Sequence, residues 1–216
     1  YAVNPKERVV SLDDRLYALL ETDADAARRC MFIEWRRMML ALCREEDGLT
    51  AEEARARFGD MLTRAGIDAQ AVVIGQSDLR EARAQLGTSM CEAVYAARAA
   101  KLCGKAALGA RELGLYAYLF PMSENPFVCD RCRRVLSAIR EYDAQNHTNL
   151  EQTALVYVKE NMEIAAAAKA LFQHPNTVRY RLSKIQRIMG MEDDPLFAPM
   201  LSLTVSLSRI LTEEQA

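Results

Sequence analysis

The chain has 216 residues, a formal net charge of -2, 50% hydrophobic residues, 9 Gly and 6 Pro. That composition excludes a largely disordered chain, and the scarcity of turn-forming residues beside abundant Ala, Leu, Arg and Glu argues for helices over a sandwich or barrel of short strands. The longest apolar runs, MMLAL at 38–42 and IAAAA at 164–168, are far shorter than the roughly 20 residues a membrane helix needs, so no membrane partner is expected.

In chain order, helices are predicted over Leu12–Leu20, Ala24–Cys43 and Ala51–Ala65. The third starts at Thr50 with Glu53 three positions on, a capping-box pattern, and ends at Gly66. Ala71, Val72, Val73 and Ile74 form a short β-branched run closed by Gly75, the best strand in the sequence. A helix follows through SMCEAVYAARAAKLC to Gly104, and AALGARELGLYAYLF can supply a second short strand and a short helix. FPMSENPF at 120–127 reads as a connector, and VCDRCRRVLSAIREYDAQN as a long helix with Val128, Val135, Ile139 and Tyr142 on one stripe. DAQNHTN at 143–149 reads as a linker, which places a domain boundary between residues 147 and 148.

The fold class is therefore mostly α: a small α+β or helical N-terminal region over 1–147, followed by a helical C-terminal domain over 148–216. The six cysteines sit mostly in helix-like stretches, which suits a reducing cytoplasm. Cys129 and Cys132 have CxxC spacing, but a structural zinc site takes four ligands and no second close pair exists, so no metal or other cofactor is expected. The chain begins at Tyr1 without an initiator Met or a leader pattern, leaving upstream segments open.

The C-terminal region carries an isolated block of one charge. Between Ile164 and Met191 there are Lys169, Arg179, Arg181, Lys184 and Arg187 and no Asp or Glu, in a chain that is otherwise acidic. Leu150–Glu160 reads as one amphipathic helix with Leu150, Ala154, Leu155 and Val158 inward. Ile164–Phe172 reads as a second, with Ile164, Ala168, Leu171 and Phe172 as its apolar stripe. After a tight turn at Gln173 and His174, Pro175 suits the first turn of a third helix that Gly190 stops. At about 100° per residue, Val178, Leu182, Ile185 and Met189 share one narrow stripe, while Asn176, Tyr180, Ser183 and Arg187 lie opposite with Arg179 and Lys184 on the flanks.

Two short helices joined by a tight turn, the second exposing Asn, Arg, Tyr and Lys, form a helix-turn-helix pattern. Arg and Asn pair with guanine and adenine edges, hydroxyls bond phosphates, and unopposed cations release counterions. The reading is a sequence-specific transcriptional regulator with double-stranded DNA as partner, the helix 175–189 entering the major groove. Its expected DNA-binding residues are His174, Asn176, Thr177, Arg179, Tyr180, Ser183, Lys184 and Arg187.

The stretch ALFQHPNTVRYRLSKI, preceded by LVYVKENMEIAAAAK, resembles the C-terminal helix-turn-helix of the PucR/CdaR-type bacterial transcriptional regulators. Ala170, Leu171, His174, Asn176, Thr177, Val178, Tyr180, Arg181, Leu182, Lys184 and Ile185 fall on that signature without a gap. The resemblance implies a Fis-like helical domain with Asn176, Thr177, Arg179, Tyr180 and Lys184 at or near DNA. Pro175 departs from the basic residue common there, which removes one phosphate contact. Residues 70–147 faintly resemble the degenerate GGDEF-like region upstream in the family; no GG[DE]EF sequence occurs, so cyclase catalysis is not supported.

By the same reading the protein is not an enzyme: it has two His, no nucleophile elbow and no phosphate-binding glycine loop. It is expected to be cytoplasmic and to act as a homodimer, with upstream regions receiving a small-molecule effector. The alternatives are a metal- or redox-responsive protein using Cys129 and Cys132, and a protein-interaction module without DNA binding.

Overall fold

A computed structural model describes residues 1–5, 12–35, 38–45, 48–68, 70–80 and 85–213. They divide into two compact units, Tyr1–Ala117 and Tyr118–Ala216.

The first unit runs β1 (Ala2–Pro5), α1 (Leu12–Thr22), α2 (Ala24–Arg29), β2 (Cys30–Trp35), β3 (Met38–Cys43), α3 (Ala51–Arg64), β4 (Val72–Gln76), α4 (Leu86–Leu102) and β5 (Ala107–Gly109). The strands form one sheet in the order β2-β3-β1-β4-β5, antiparallel except for the parallel pair β4 and β5. Successive strand residues face opposite sides, so the sheet has a core on each face. Val3, Phe32, Met39, Val72 and Ile74 pack with α1, α2 and α3 through Leu16, Ala26, Phe58 and Leu62. Ala2 and Leu40 pack on the other side with Ala93, Val94 and Ala97 of α4. Gly75 is what lets α4 lie so close, because a Cβ there would overlap the backbone of Ala93 and Ala97. Gln76, buried at the end of β4, is satisfied by donating to the Ala51 carbonyl at 2.7 Å and accepting from Arg55 Nε at 2.9 Å.

The helices expected from Leu12 and from Ala51 are present, and the capping box is formed: Thr50 Oγ1 accepts from Glu53 N at 3.3 Å and Glu53 Oε2 accepts from Thr50 N at 2.9 Å. The single helix expected over Ala24–Cys43 is not. Only Ala24–Arg29 is helical, with Asp23 capping its start, and Cys30–Cys43 folds back as the hairpin of β2 and β3. Dense apolar residues such as MFI and MMLAL carry no period that separates helix from strand, and pairing of β3 with β1 decides the matter.

The second unit contains most of α5 (Tyr116–Ser123), then α6 (Pro126–Asn146), α7 (Leu150–Lys159), α8 (Ile164–Ala170), α9 (Pro175–Met189) and α10 (Phe197–Glu213). Much of the expected connector at 120–127 is helical, α5 running on to Ser123 and α6 starting at Pro126 under an Asn125 cap. The expected linker at 143–149 is mainly the end of α6, with His147 in the left-handed conformation at φ 51°. The compact units thus part at residues 117 and 118, upstream of the sequence boundary at 147. The reason is that α6 contributes Ile139, Val135 and Tyr142 to the core of Leu150, Ala154, Val178, Leu182, Ile185 and Leu201. No described helix is long and apolar enough to cross a membrane.

One carboxylate joins α6 to α7. Asn149 makes no side-chain cap, and Asp143 replaces it, accepting from Thr148 Oγ1 at 2.6 Å, Leu150 N at 2.7 Å and Glu151 N at 3.0 Å. Partial burial works against the charge, but the Thr148 hydroxyl and the two amides outweigh it and hold the Asp143 carboxyl below its ordinary value. A carboxyl depressed in the folded state stabilises the fold above its unfolded value of about pH 4 and ceases to do so as pH falls through the lower folded value. Asp143→Ala is expected to cost about 0.5–2 kcal/mol at pH 7, measured as a lower urea midpoint. The gap from the parent protein should narrow below about pH 4.

Candidate nucleic-acid interface

Helix α9 is placed by its apolar stripe. Val178 and Ile185 are fully buried and Leu182 nearly so, against Leu150, Ala154 and Tyr157 of α7 and Ala167 and Ala168 of α8. The alanines bring α8 close because they carry no bulk beyond Cβ. The sequence assignment of inward residues holds for Leu150, Ala154 and Ala168. It fails for Leu155, which is 41% exposed, and for Phe172, which is 93% exposed. Phe172 lies beyond the end of α8 in the turn, where φ of 54° takes its side chain off the helical stripe.

Polar contacts fix the rest. His174 is the N-cap of α9, its Nδ1 accepting from Asn176 N at 3.2 Å. A ring accepting at Nδ1 carries its N–H on Nε2. Pro175 occupies the first turn and needs no acceptor there. Arg181 does not join the exposed row. Its Nη1 donates to Thr153 Oγ1 at 3.1 Å, while that buried hydroxyl donates to the Asn149 carbonyl at 2.6 Å, so α9 is bonded to the start of α7. Its positive charge also favours the ionised Asp143. Sequence reasoning missed the Asp143, Thr153 and Arg181 joint; the available signal was that Arg181 sits beside the apolar stripe.

The outward surface carries the expected residues. His174, Asn176, Arg179, Tyr180, Ser183 and Arg187 are exposed, and Thr177 and Lys184 are half-buried. Arg179 Nη1 donates to Asn176 Oδ1 at 2.8 Å, one turn apart on the first half of α9. Lys184 Nζ lies 5.3 Å from the centre of the Tyr180 ring, a cation–π pair. Arg187, at the far end, is ion-paired with Glu192 at 2.9 Å, and both side chains are mostly exposed. Asn176, Arg179, Tyr180 and Lys184 therefore form one coupled row, with Arg187 partly neutralised at its edge.

This geometry agrees with comparison to known proteins. Residues 150–203 match the family described as the PucR C-terminal helix-turn-helix domain. That segment is a PucR-type helix-turn-helix. The chain is similar to the DNA-binding transcriptional activator AdeR of Bacillus subtilis (strain 168), 31% identical over 81 residues, 38% of this chain and 19% of that protein. It is also similar to the proline-responsive transcriptional activator PutR of the same organism, 28% identical over 111 residues, 50% of this chain and 27% of that protein. The matches thus span about a quarter or less of either relative. A structural comparison pairs the chain with a regulator of polyketide synthase expression from Bifidobacterium adolescentis, 18% identical, covering 99% of this chain and 79% of that one. Its TM-score of 0.38 is too low to carry an argument.

The CxxC pair lies elsewhere in this unit. Cys129 and Cys132 are buried, Cys129 Sγ donating to the Ser123 carbonyl at 2.9 Å and Cys132 Sγ to the Thr204 carbonyl at 3.4 Å. Burial, then the neighbouring Cys129, pushes the Cys132 thiol up. Among the described residues no cluster of three or more His, Cys, Asp or Glu is placed to hold a metal ion.

The two faces of α9 should respond differently to truncation. Ile185→Ala is expected to destabilise the chain by about 2–5 kcal/mol in chemical denaturation. Tyr180→Ala should cost about 1 kcal/mol or less, since it loses only an exposed cation–π contact.

Proposed function

We infer that the chain is a sequence-specific DNA-binding transcriptional regulator that seats α9 in the major groove. The observation that carries this reading is the acid-free outward row on a helix whose opposite face is locked in place. His174, Asn176, Thr177, Arg179, Tyr180, Ser183, Lys184 and Arg187 are its DNA-contacting set. Asn176 and Arg179, near the N-terminus of α9, are the base readers, because the first turns of a recognition helix reach the base edges. Thr177, Tyr180, Ser183 and Lys184 contact phosphate and sugar and set the register. His174 presents Nε2–H to a phosphate while its other nitrogen caps the helix. Arg187 engages a phosphate by exchanging its exposed partner Glu192.

The proposal assigns residues 148–216 as the DNA-binding domain, with α6 as its support, and the preceding residues as the regulatory and dimerising region. That region includes the degenerate GGDEF-like stretch suggested by sequence resemblance. A homodimer reads two half-sites about one helical turn, or roughly 34 Å, apart. A small-molecule signal is supported by the relative described as proline-responsive. The site of action is the cytoplasm, and no catalytic role is assigned.

The test is fluorescence anisotropy of the full chain on duplexes recovered by selection from a random pool. Binding should weaken steeply with salt, and Arg179→Ala combined with Lys184→Ala should lower the log–log salt slope by about 2, or roughly 0.9 per lost phosphate contact. Asn176→Ala should instead relax preference at one base pair by about 1–3 kcal/mol. Absence of salt-sensitive duplex binding, or binding unchanged by the double substitution, overturns the assignment and leaves an interaction module.

A further inference from the structure

Two cysteines far apart in sequence are brought together in the first unit. Cys30 opens β2 and Cys43 closes β3, and the antiparallel register sets them directly opposite each other. The flanking pair exchanges a ladder bond, Arg44 N donating to the Arg29 carbonyl at 2.7 Å, whereas Cys30 N–H is turned to the Ala26 carbonyl at the end of α2. Cys30 and Cys43 therefore occupy a non-hydrogen-bonded site of the ladder. Opposed residues at such sites have Cα atoms about 4.5 Å apart, inside the span of about 4.4–6.8 Å that a disulfide bridges. Their sulfurs lie 2.6 Å apart. Two thiolates sharing an ion at about 2.3 Å each would stand further apart than that, so the pairing fits a bond better than a metal.

The surroundings favour reaction. Both thiols are partly exposed and line a hollow open to solvent, together with Arg29, Arg44, Arg57 and Arg64. Asp25 and Glu45 are also at its wall, so the cations outnumber the acids there. The contact with Cys43 holds the Cys30 thiol below its usual value, and the same contact, then burial, pushes Cys43 up. A cationic, accessible thiolate is the reactive kind.

We propose that Cys30 and Cys43 are a redox-active pair that closes a reversible cross-strand disulfide on reaction with a hydroperoxide. The Cys30 thiolate attacks the peroxide oxygen, breaking the O–O bond to give a sulfenic acid and a hydroxide that takes up a proton. Cys43, giving up its proton, then attacks the Cys30 sulfur, the S–O bond breaks and water leaves. In sum, two thiols lose two electrons and two protons, and one hydrogen peroxide becomes two waters. Reduction by a dithiol through exchange restores the pair. The bond ties the open end of the β2 and β3 hairpin, at the edge of the sheet. This inference is independent of DNA binding.

The test treats the full chain with hydrogen peroxide and maps it by non-reducing tryptic mass spectrometry. Cleavage after Arg29, Arg36, Arg37 and Arg44 puts Cys30 in CMFIEWR and Cys43 in MMLALCR, so only a disulfide keeps the two peptides together. A linked pair lighter by two hydrogens, abolished by dithiothreitol, with two fewer titratable thiols, is expected. The exposed thiols Cys91 and Cys103 serve as internal comparison. Their oxidation while Cys30 and Cys43 stay reduced overturns the proposal, as does a disulfide joining either residue to another cysteine. In Cys43→Ser, a dimedone adduct on Cys30 is expected, and an unmodified Cys30 overturns its role as the attacking sulfur. Should that variant fail to fold, the mapping of the unsubstituted chain decides alone.

Discussion

The interface depends on the burial of three residues, Val178, Leu182 and Ile185, against α7 and α8. A helix presents residues at about 100° intervals, so fixing one stripe fixes every other direction around the axis. With that stripe sealed, Asn176, Tyr180, Ser183 and Arg187 have no direction left but outward. The small residues of α8 sharpen the constraint, because Ala167 and Ala168 leave no space for α9 to rotate into. Specificity in a groove requires side chains held to within a fraction of a turn, and here dispersion and apolar burial provide that hold while the polar surface stays free to exchange water for phosphate.

Apolar contacts alone would leave α9 free to slide along its axis. The polar joint removes that freedom. Arg181 reaches from α9 to Thr153, and Asp143 holds the first turn of α7 from the end of α6. One cation of the basic block is thereby withdrawn from the outer surface and used inside the unit. The positive charge of the region has two distinct uses, and only burial and hydrogen bonding distinguish them.

The difference between what was legible in the sequence and what was not follows from range. Helices α7, α8 and α9 are set by local signals: periodic apolar residues, Pro175 at one end and Gly190, at φ 66°, at the other. Those signals need no knowledge of the rest of the chain, and the outward residues followed from them. The hairpin of β2 and β3 was illegible because its pairing with β1 joins residues some forty positions apart, Ala2 with Leu40, and the periodicity of MMLALC alone does not contain that information. Residues 143–149 were misread for a related reason. Polar, flexible-looking DAQN closes a helix because α6 is held by Ile139 and Tyr142 against elements downstream. Phe172 shows the limit of pattern reading at a helix end, where one residue in the left-handed region moves a large apolar side chain from the expected core to solvent.

Cysteine spacing makes the same point in chemical terms. Cys129 and Cys132 are three apart, the spacing that attracts attention in a sequence, yet one turn of α6 delivers each thiol to a separate backbone carbonyl in a buried setting. Cys30 and Cys43 are thirteen apart with no motif between them, and strand register sets them face to face on an open, arginine-lined hollow. Thiol chemistry depends on distance, access and local charge, none of which sequence spacing reports. The pair that looks like a site is held apart by its hydrogen bonds, and the pair that looks like nothing has the geometry for a bond.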